Sequence, residues 1–317
     1  MKIEFIHGLD DYPPAETQAS VVTVGTFDGI HRGHQAIFDR VREVAASEKL
    51  APVLVTFHPH PRTVVTPNDV PMLLTTIEEK EKFLPCFFEG RVLVIEFNEE
   101  FRNLSAEQFV EDVLVKLVGT KHLVVGYDHA IGKNRGGNTE ALAEMGKKLG
   151  FATEVVKPVI WNDAPISSTR VRQALTFGRY AFAVELLGHD YAIYGKVEKG
   201  ISLGRQIGYP TANVMYSARK MLPPDGVYAC WALVNGEAHN GMMFVGQNHF
   251  NPEAKRSVEA NLFDFDRDIY GEEIIVYPTQ YIRENRRFPS KEELVAQIEK
   301  DKKQVLDIMS EGEKRCQ

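Results

Sequence analysis

The feature that most constrains the fold is a change of hydrophobic period part-way along the chain. From Val21 to about Leu175, short apolar runs alternate with stretches of helical periodicity, the pattern of parallel strands joined by crossover helices. The expected strands are Val21–Val24, Val53–Phe57, Val92–Phe97, His122–Val125 and Thr153–Val156. Between them, Ile37, Val41, Val44 and Ala45 form an apolar stripe at i, i+4, i+7 and i+8, and Ser105 with Gln108 makes a capping box ahead of Phe109, Val113 and Leu117. After about Leu187 the pattern becomes strands broken by turns: Tyr191–Val197, Gly226–Val234, Gly241–Val245, Ser257–Phe265 and Glu273–Tyr281, with Asn235-Gly236 as a hairpin signal. A last helix opens at Ser290, with Glu293 completing a capping box, and carries Leu294, Ile298, Val305 and Ile308. Residues 1–187 therefore read as a doubly wound α/β domain, and residues 188–317 as a small β-barrel or sandwich with a C-terminal helix. A length of 317 residues suits two such domains.

Charge narrows the partners. Lys and Arg number 37 against 44 Asp and Glu, a net charge of -7, and neither half is strongly basic, which argues against a duplex nucleic-acid binder. Cys86, Cys230 and Cys316 form neither a CxxC pair nor an even framework, as expected of reduced thiols in a cytoplasmic protein. The start, MKIEFIHGLDDYPP, lacks a basic segment followed by an apolar one, and no apolar run approaches the length of a membrane span. The expectation is a soluble cytoplasmic protein with neither a nucleic acid nor a membrane as partner.

The run Gly25-Thr26-Phe27-Asp28-Gly29-Ile30-His31-Arg32-Gly33-His34 leaves the first expected strand and enters the first expected helix. An open α/β sheet binds ligands at such a place, because helix N-terminal amides point at an incoming anion. His31 and His34, three apart at a helix start, share a face. Gly29 and Gly33 permit close approach of backbone and substrate. Two imidazoles so placed can donate charge-assisted hydrogen bonds to a phosphate in its transition state, with no covalent nucleophile. With 10 His and 24 Gly in the chain, a chance His-x-Gly-His occurs roughly 0.02 times per chain. The competing reading is a pair of histidines capping a helix; a zinc site lacks a third ligand of obvious spacing. Farther on, Ile166-Ser167-Ser168-Thr169-Arg170-Val171-Arg172 opens a helix with hydroxyls and guanidiniums, which suits a polyphosphate but equally an ordinary capped helix with a solvated Arg face.

In the second half, Gly195, Gly200, Gly204 and Gly208 punctuate a basic loop that runs into Pro210-Thr211-Ala212-Asn213. This has the makings of a backbone cradle for phosphates, although it is not a Walker A loop. Thr211 and Asn213 offer neutral oxygens on one side of a short extended segment, suited to a magnesium ion already carrying phosphates; a self-stabilised turn is the plainer alternative. Glu259, in an alternating strand, faces either a cleft as a general base or solvent.

GTFDGIHRGH followed by ISSTRVR resembles the nucleotidylyltransferase module of the bacterial bifunctional riboflavin kinase/FAD synthetase family. The likeness continues through Thr56-Phe57-His58-Pro59-His60-Pro61-Arg62, Leu104 to Phe109 and Val125-Gly126-Tyr127-Asp128. GKVEKG, GYPTANV, Pro224-Asp225-Gly226-Val227-Tyr228, VEANLFDF, Asp268-Ile269-Tyr270-Gly271 and Tyr281-Ile282-Arg283 resemble that family's riboflavin kinase module, a six-stranded antiparallel barrel with a C-terminal helix.

The resemblance implies two ATP-dependent activities: phosphorylation of riboflavin to FMN by the C-terminal module, and adenylylation of FMN to FAD, with release of pyrophosphate, by the N-terminal one. By position, His31 and His34 contact ATP phosphates beside Gly25, Phe27, Asp28 and Gly29; Asp128 lies near nucleotide and flavin; Ser168, Thr169 and Arg172 hold the phosphate chain. His60 and Pro61 fall toward the flavin, although histidines in a Pro-rich loop equally stabilise turns. In the kinase module Thr211 and Asn213 would ligate Mg2+, Glu259 would be the base and Arg283 would face the flavin. The implied partners are riboflavin, FMN and ATP, and the implied assembly is a monomer or weak homo-oligomer. The sequence departs from the family where Asp128-His129-Ala130-Ile131-Gly132 replaces D-F-x-F-G, where Gln247-Asn248-His249 replaces a Pro-Thr after Gly246, and where Asn261 replaces a frequent His. The first departure leaves open a riboflavin kinase with a merely binding N-terminal module, and a non-catalytic flavin sensor is the non-enzyme alternative.

Overall fold

The computed structural model describes residues 3–13, 19–132, 136–200, 203–247 and 256–313. Two compact units result, Met1–Ser168 and Thr169–Gln317.

The first unit is built on a parallel six-stranded sheet of β1 (Glu4–His7), β2 (Ser20–Val24), β3 (Ala51–His58), β4 (Arg91–Glu96), β5 (Thr120–Gly126) and β6 (Ala152–Val156), in the spatial order β1-β4-β3-β2-β5-β6. Each of the five expected strands forms. The edge strand β1 is additional; it is four residues long and buries only Ile6, too little alternation to register as a pattern. Both faces of the sheet are covered, as a parallel sheet requires. Val22, Val24, Val53, Val55, Leu93, Ile95, Leu123 and Val125 enter one core with Phe109, Val110, Val113, Leu114 and Leu142. Their neighbours Val21, Leu54, Val92, Val94 and Val124 enter the other, against Ile37, Phe38, Val41 and Val44 of α1 (Arg32–Glu48). Period-two alternation thus sends successive residues of each strand to opposite layers.

The remaining helices that matter here are α2 (Ile77–Phe83) and α3 (Thr139–Leu149). The expected capping box at Ser105 and Gln108 is present, but the helix it opens widens over Phe109–Leu117, where the Val118 N–H reaches the carbonyl of Val113, five residues back. Phe109, Val110, Val113 and Leu114 are all buried there, more apolar surface than a single i, i+4 stripe presents.

Helix α4 (Ser168–Thr176) starts at the last residue of the first unit, and the second unit continues with α5 (Tyr180–Leu187) and a closed antiparallel barrel, not a sandwich. Its strands are β7 (Ile193–Glu198), β8 (Ala212–Tyr216), β9 (Gly226–Val234), β10 (Glu237–Gly246), β11 (Ser257–Leu262) and β12 (Glu273–Arg283), in the order β7-β8-β11-β10-β9-β12. Asn235 and Gly236 both have positive φ, 53° and 81°, as the expected hairpin turn requires. The strand β8 replaces what reads locally as an extended turn segment after Pro210. Tyr180 of α5 donates to the carbonyl of Pro278 at 2.5 Å and packs edge-to-face on Tyr228, fastening this helix to the barrel. The C-terminal helix α6 (Lys291–Glu313) is capped by the Ser290 hydroxyl, which accepts the Glu293 N–H, and it packs Ile298, Val305 and Ile308 against Ala229, Met242 and Phe263. No described helix is long and apolar enough to cross a membrane.

Candidate functional site

In the first unit the chain runs from β2 to β3 and β4 on one side, then crosses back to place β5 on the other. The switch point therefore lies between β2 and β5, where ligands of such sheets bind at the strands' C-terminal ends. The loop after β2 carries Gly25 to His31, and Asp128 stands exposed just past β5. Phe27 and Ile30 adopt left-handed backbone, φ 46° and 44°, and Gly29 has φ 90°. For the two non-glycine residues this stores roughly 1–3 kcal/mol each, and the surroundings supply the restraint. Thr75 N donates to Asp28 Oδ1 at 2.8 Å, Gly29 N donates to Thr75 Oγ1 at 3.1 Å, and Ser168 Oγ donates to the Asp28 carbonyl at 2.8 Å. The Lys80 ammonium, on α2, donates to the Thr26 carbonyl at 2.5 Å.

His31 is the N-cap of α1, its Nδ1 accepting the His34 N–H at 3.3 Å. Capping and phosphate binding are therefore compatible, because an accepting Nδ1 places the ring proton on Nε2, the nitrogen that can donate to an anion. The His34 ring stacks on His31, with centroids 3.6 Å apart, and makes a T-shaped contact with Phe27, centroids 5.3 Å apart. Burial first, then the neighbouring His31 and Lys80, hold His34 well below the usual histidine range, so without a ligand it is neutral. The expected pair of charge-assisted donors is thus one helix-capping imidazole stacked on a neutral one, whose Nδ1 is buried and makes no hydrogen bond. A Cβ on Gly33 would come within 3.1 Å of the His31 ring, so this glycine makes room for the imidazole. Thr169 is exposed and Arg172 half-buried in the opening turns of α4, which begins at Ser168. His60 Nδ1 accepts the N–H of Arg62, and Pro61 precedes the single turn Arg62–Val65, so both lie in a helix-opening turn.

In the barrel, β8 pairs with β11 so that Asn213 lies opposite Glu259. Directly opposed residues point to one face, and Thr211 is two residues from Asn213 on the same side. The Thr211 hydroxyl consequently meets Glu259 Oε2 at 3.3 Å, while Ser257 Oγ lies 3.2 Å from Oε1. With its proton directed at the carboxylate, the Thr211 oxygen keeps its lone pairs for a cation. Two glycines approach this group closely. A Cβ on Gly200 would fall within 2.6 Å of Asn213 Oδ1, and one on Gly204 within 3.4 Å of Thr211 Oγ1. Gly195 packs against the Met215 carbonyl within the β7–β8 pair, and Gly208, with φ 85°, turns the chain toward Pro210. A hydroxyl, an amide carbonyl and an adjacent carboxylate are hard oxygen donors that fit Mg2+. Among the described residues no cluster of three His, Cys, Asp or Glu side chains could hold a metal alone, so an ion here would take its remaining ligands from phosphate and water.

Similarity to known proteins bears on both units. An FAD synthetase family profile matches residues 13–170 and a riboflavin kinase profile residues 187–309. The bifunctional riboflavin kinase/FMN adenylyltransferase of Bacillus subtilis is 36% identical over 301 residues, covering 93% of this chain and 94% of that protein. The Escherichia coli protein of the same name is 36% identical over 300 residues, covering 94% and 96%. The chain belongs to this bifunctional family. A solved Streptococcus pneumoniae structure, described as a macrolide-efflux protein, has the same fold: it is 32% identical with a TM-score of 0.83 over 96% of this chain and 98% of that one.

Against this family background, the departures in sequence acquire local explanations. Ala130–Ile131 pairs with Gly137–Asn138, and Ile131 is buried in the same core cluster as Phe109. Asn261 donates to the Pro210 carbonyl at 2.7 Å and so anchors the residue before Thr211. Of the Gln247-Asn248-His249 segment, only Gln247 lies within the described residues. Arg283 is engaged by a buried partner: its Nε and Nη2 donate to Asp301 Oδ2 at 2.9 and 2.7 Å, while Gln297 donates to Asp301 Oδ1. Beside it, an open pocket of about 470 Å³ is lined by Gly178, Pro224, Asp225, Tyr281, Glu284 and Asn285. Lys80, Thr75, Ser257 and Asp301 were not singled out in the sequence. Lys80, Thr75 and Asp301 reach their partners from other elements, whereas Ser257 stands two residues before Glu259 on the same strand, β11.

Proposed function

We propose that this protein makes FMN from riboflavin in its barrel and FAD from FMN in its α/β unit, each step consuming ATP, with the functional boundary near Leu187. The observation that supports the reading is that each unit brings together its own group of polar side chains: Thr211, Asn213 and Glu259 in the barrel, and the His31–His34 stack after β2 of the sheet. The protein acts as a soluble cytoplasmic enzyme on small molecules.

In the kinase step Glu259 takes the proton of the ribityl 5'-hydroxyl, whose oxygen attacks the γ-phosphorus of ATP, and ADP leaves. Thr211 and Asn213 would hold a Mg2+, which when bound would supply neutralising charge to the phosphates. Gly200 and Gly204 bring loop backbone against these two residues, and Ser257 fixes the orientation of the carboxylate. In the adenylyl step an FMN phosphate oxygen attacks the α-phosphorus of ATP and pyrophosphate leaves. No base is needed, because the nucleophile is already ionised. His31 donates from Nε2 to the phosphate chain, His34 supplies the neutral face behind it, and Ser168, Thr169 and Arg172 hold the leaving pyrophosphate. Asp128 lies toward the nucleotide and flavin, as do His60 and Pro61 toward the flavin, and Arg283 positions the barrel's flavin side.

Incubation of the purified protein with riboflavin, ATP and magnesium, followed by chromatography, tests the reading. Sequential appearance of FMN and FAD is expected; FMN alone would favour a kinase with a merely binding α/β unit, and neither product would overturn the proposal.

A further inference from the structure

Lys80 is a buried cation that the mechanism above leaves unused. It is 7% exposed, on the inner side of α2, a helix whose start is fixed by the reciprocal Thr76–Glu79 capping box. Its ammonium donates to the Thr26 carbonyl, at the head of the loop that delivers His31. The titratable groups facing it are Asp28 of that loop and His34 of α1; on its own helix Glu79 is committed to the Thr76 N–H. Asp28 is 1% exposed. A buried carboxylate in a loop meant for a polyphosphate works against binding unless its charge is cancelled nearby.

We infer that Lys80 is a positioning residue for adenylyl transfer: it compensates Asp28 and pins the Thr26 carbonyl, so that the Thr26–His31 loop presents donors rather than net negative charge to the phosphate chain. The inference rests on the adenylyl-transfer reading of this unit. Three hydrogen bonds join the loop to residues 75–80, namely those from Lys80 to Thr26, from Thr75 to Asp28 and from Gly29 to Thr75, so the cation and the loop move as one piece. Burial lowers the Lys80 ammonium to about 8, and Asp28 partly opposes that shift by favouring the charged form. The charge is therefore present at neutral pH and lost as pH rises through about 8. Substrate phosphate monoesters ionise near 6, well clear of that limb.

The experiment measures kcat/KM for FAD formation from FMN and ATP across pH 6.5–9.5, on the full chain and on the Lys80→Met, Asp28→Asn and double variants, with FMN formation from riboflavin as the internal control. Lys80→Met is expected to lower kcat/KM at pH 7 by about 10²-fold, the order that a misplaced reacting group costs, mainly through KM for ATP. The double variant is expected to recover most of that loss, because the carboxamide introduced by Asp28→Asn still accepts the Thr75 N–H without a charge to balance. In Asp28→Asn alone the fall near pH 8 shifts to lower pH, since the group that favoured the charged lysine has gone; this readout needs no substitution of Lys80. An unshifted limb in Asp28→Asn, a double variant as impaired as Lys80→Met, or a Lys80→Met enzyme equal to the parent would each overturn the role of Lys80. A parent protein that makes FMN but no FAD would instead overturn the reading on which the inference rests.

Discussion

Gly200→Ala tests whether the glycine loop acts through Asn213. The added methyl would lie 2.6 Å from Asn213 Oδ1 and nearer still to the rest of the carboxamide, inside the distance that carbon atoms tolerate. Gly200 adopts no positive φ, so the backbone accepts alanine and the strain falls on the Asn213 side chain. Turning that side chain out of its rotamer costs about 0.5–1.5 kcal/mol, and the melting temperature should fall by only a few degrees. The kinase step should suffer more. Losing the support behind a metal ligand typically costs 10–100-fold in metal affinity, so the magnesium concentration giving half-maximal FMN production should rise by about that factor, while FAD formation from supplied FMN stays unchanged. The assay is a magnesium titration at fixed ATP on four proteins: parent, Gly200→Ala, Asn213→Ala and the double variant. If Gly200 works through Asn213, its substitution has no further effect once Asn213 is alanine. Additive losses in the double variant, or an unchanged magnesium dependence in Gly200→Ala, would refute the reasoning.

Other predictions follow from individual contacts. Because the folded protein holds His34 well below its unfolded value near 6.5, the stability associated with it is full above that value and is lost as pH falls; melting curves from pH 7.5 to 5 should show the decline, and His34→Asn should flatten it. Asp301 is 2% exposed and paired with Arg283, so Asp301→Ala leaves a guanidinium without its partner and should destabilise the barrel by about 3 kcal/mol, measured by urea unfolding. Cys230 is fully buried, with its thiol pushed up by desolvation, whereas Cys86 is exposed; peptide mapping after brief alkylation of the native protein should find Cys86 modified and Cys230 protected.

What the sequence disclosed, and what it withheld, follows from the distance over which each signal acts. The His31–His34 pair was legible because strand end, turn and helix start fall within a dozen consecutive residues, and Thr211 with Asn213 because two-residue spacing fixes a common face. The doubly wound sheet was legible from alternating periods. Strand β8 was hidden by the Gly208 and Pro210 turn signals that precede it, and β1 by its length. The widened helix at Phe109–Leu117 escaped because apolar residues crowd more than one face. Closure into a barrel was open between two architectures until the β7–β12 and β8–β11 pairings settled it. Ser257 was within reach, because it shares with Glu259 the two-residue spacing that fixes a common face. Lys80, Thr75 and Asp301 could not be found in advance, since each acquires meaning only from a partner brought near by folding; Thr75 meets Asp28 across 47 positions. Arg283 shows the converse. Its motif draws attention to a flavin, while its guanidinium is committed to a buried aspartate on α6.

Two separable ATP-using sites on one chain are tested most directly by chromatographic analysis of products from His31→Ala/His34→Ala and from Glu259→Gln, each supplied with riboflavin or with FMN. The double histidine variant is expected to accumulate FMN and make no FAD. Glu259→Gln, deprived of a general base worth about 10²–10⁴ in rate, should make almost no FMN from riboflavin yet convert supplied FMN to FAD at the parental rate. Loss of both products in either variant, with its fold intact by circular dichroism, would contradict two separable sites.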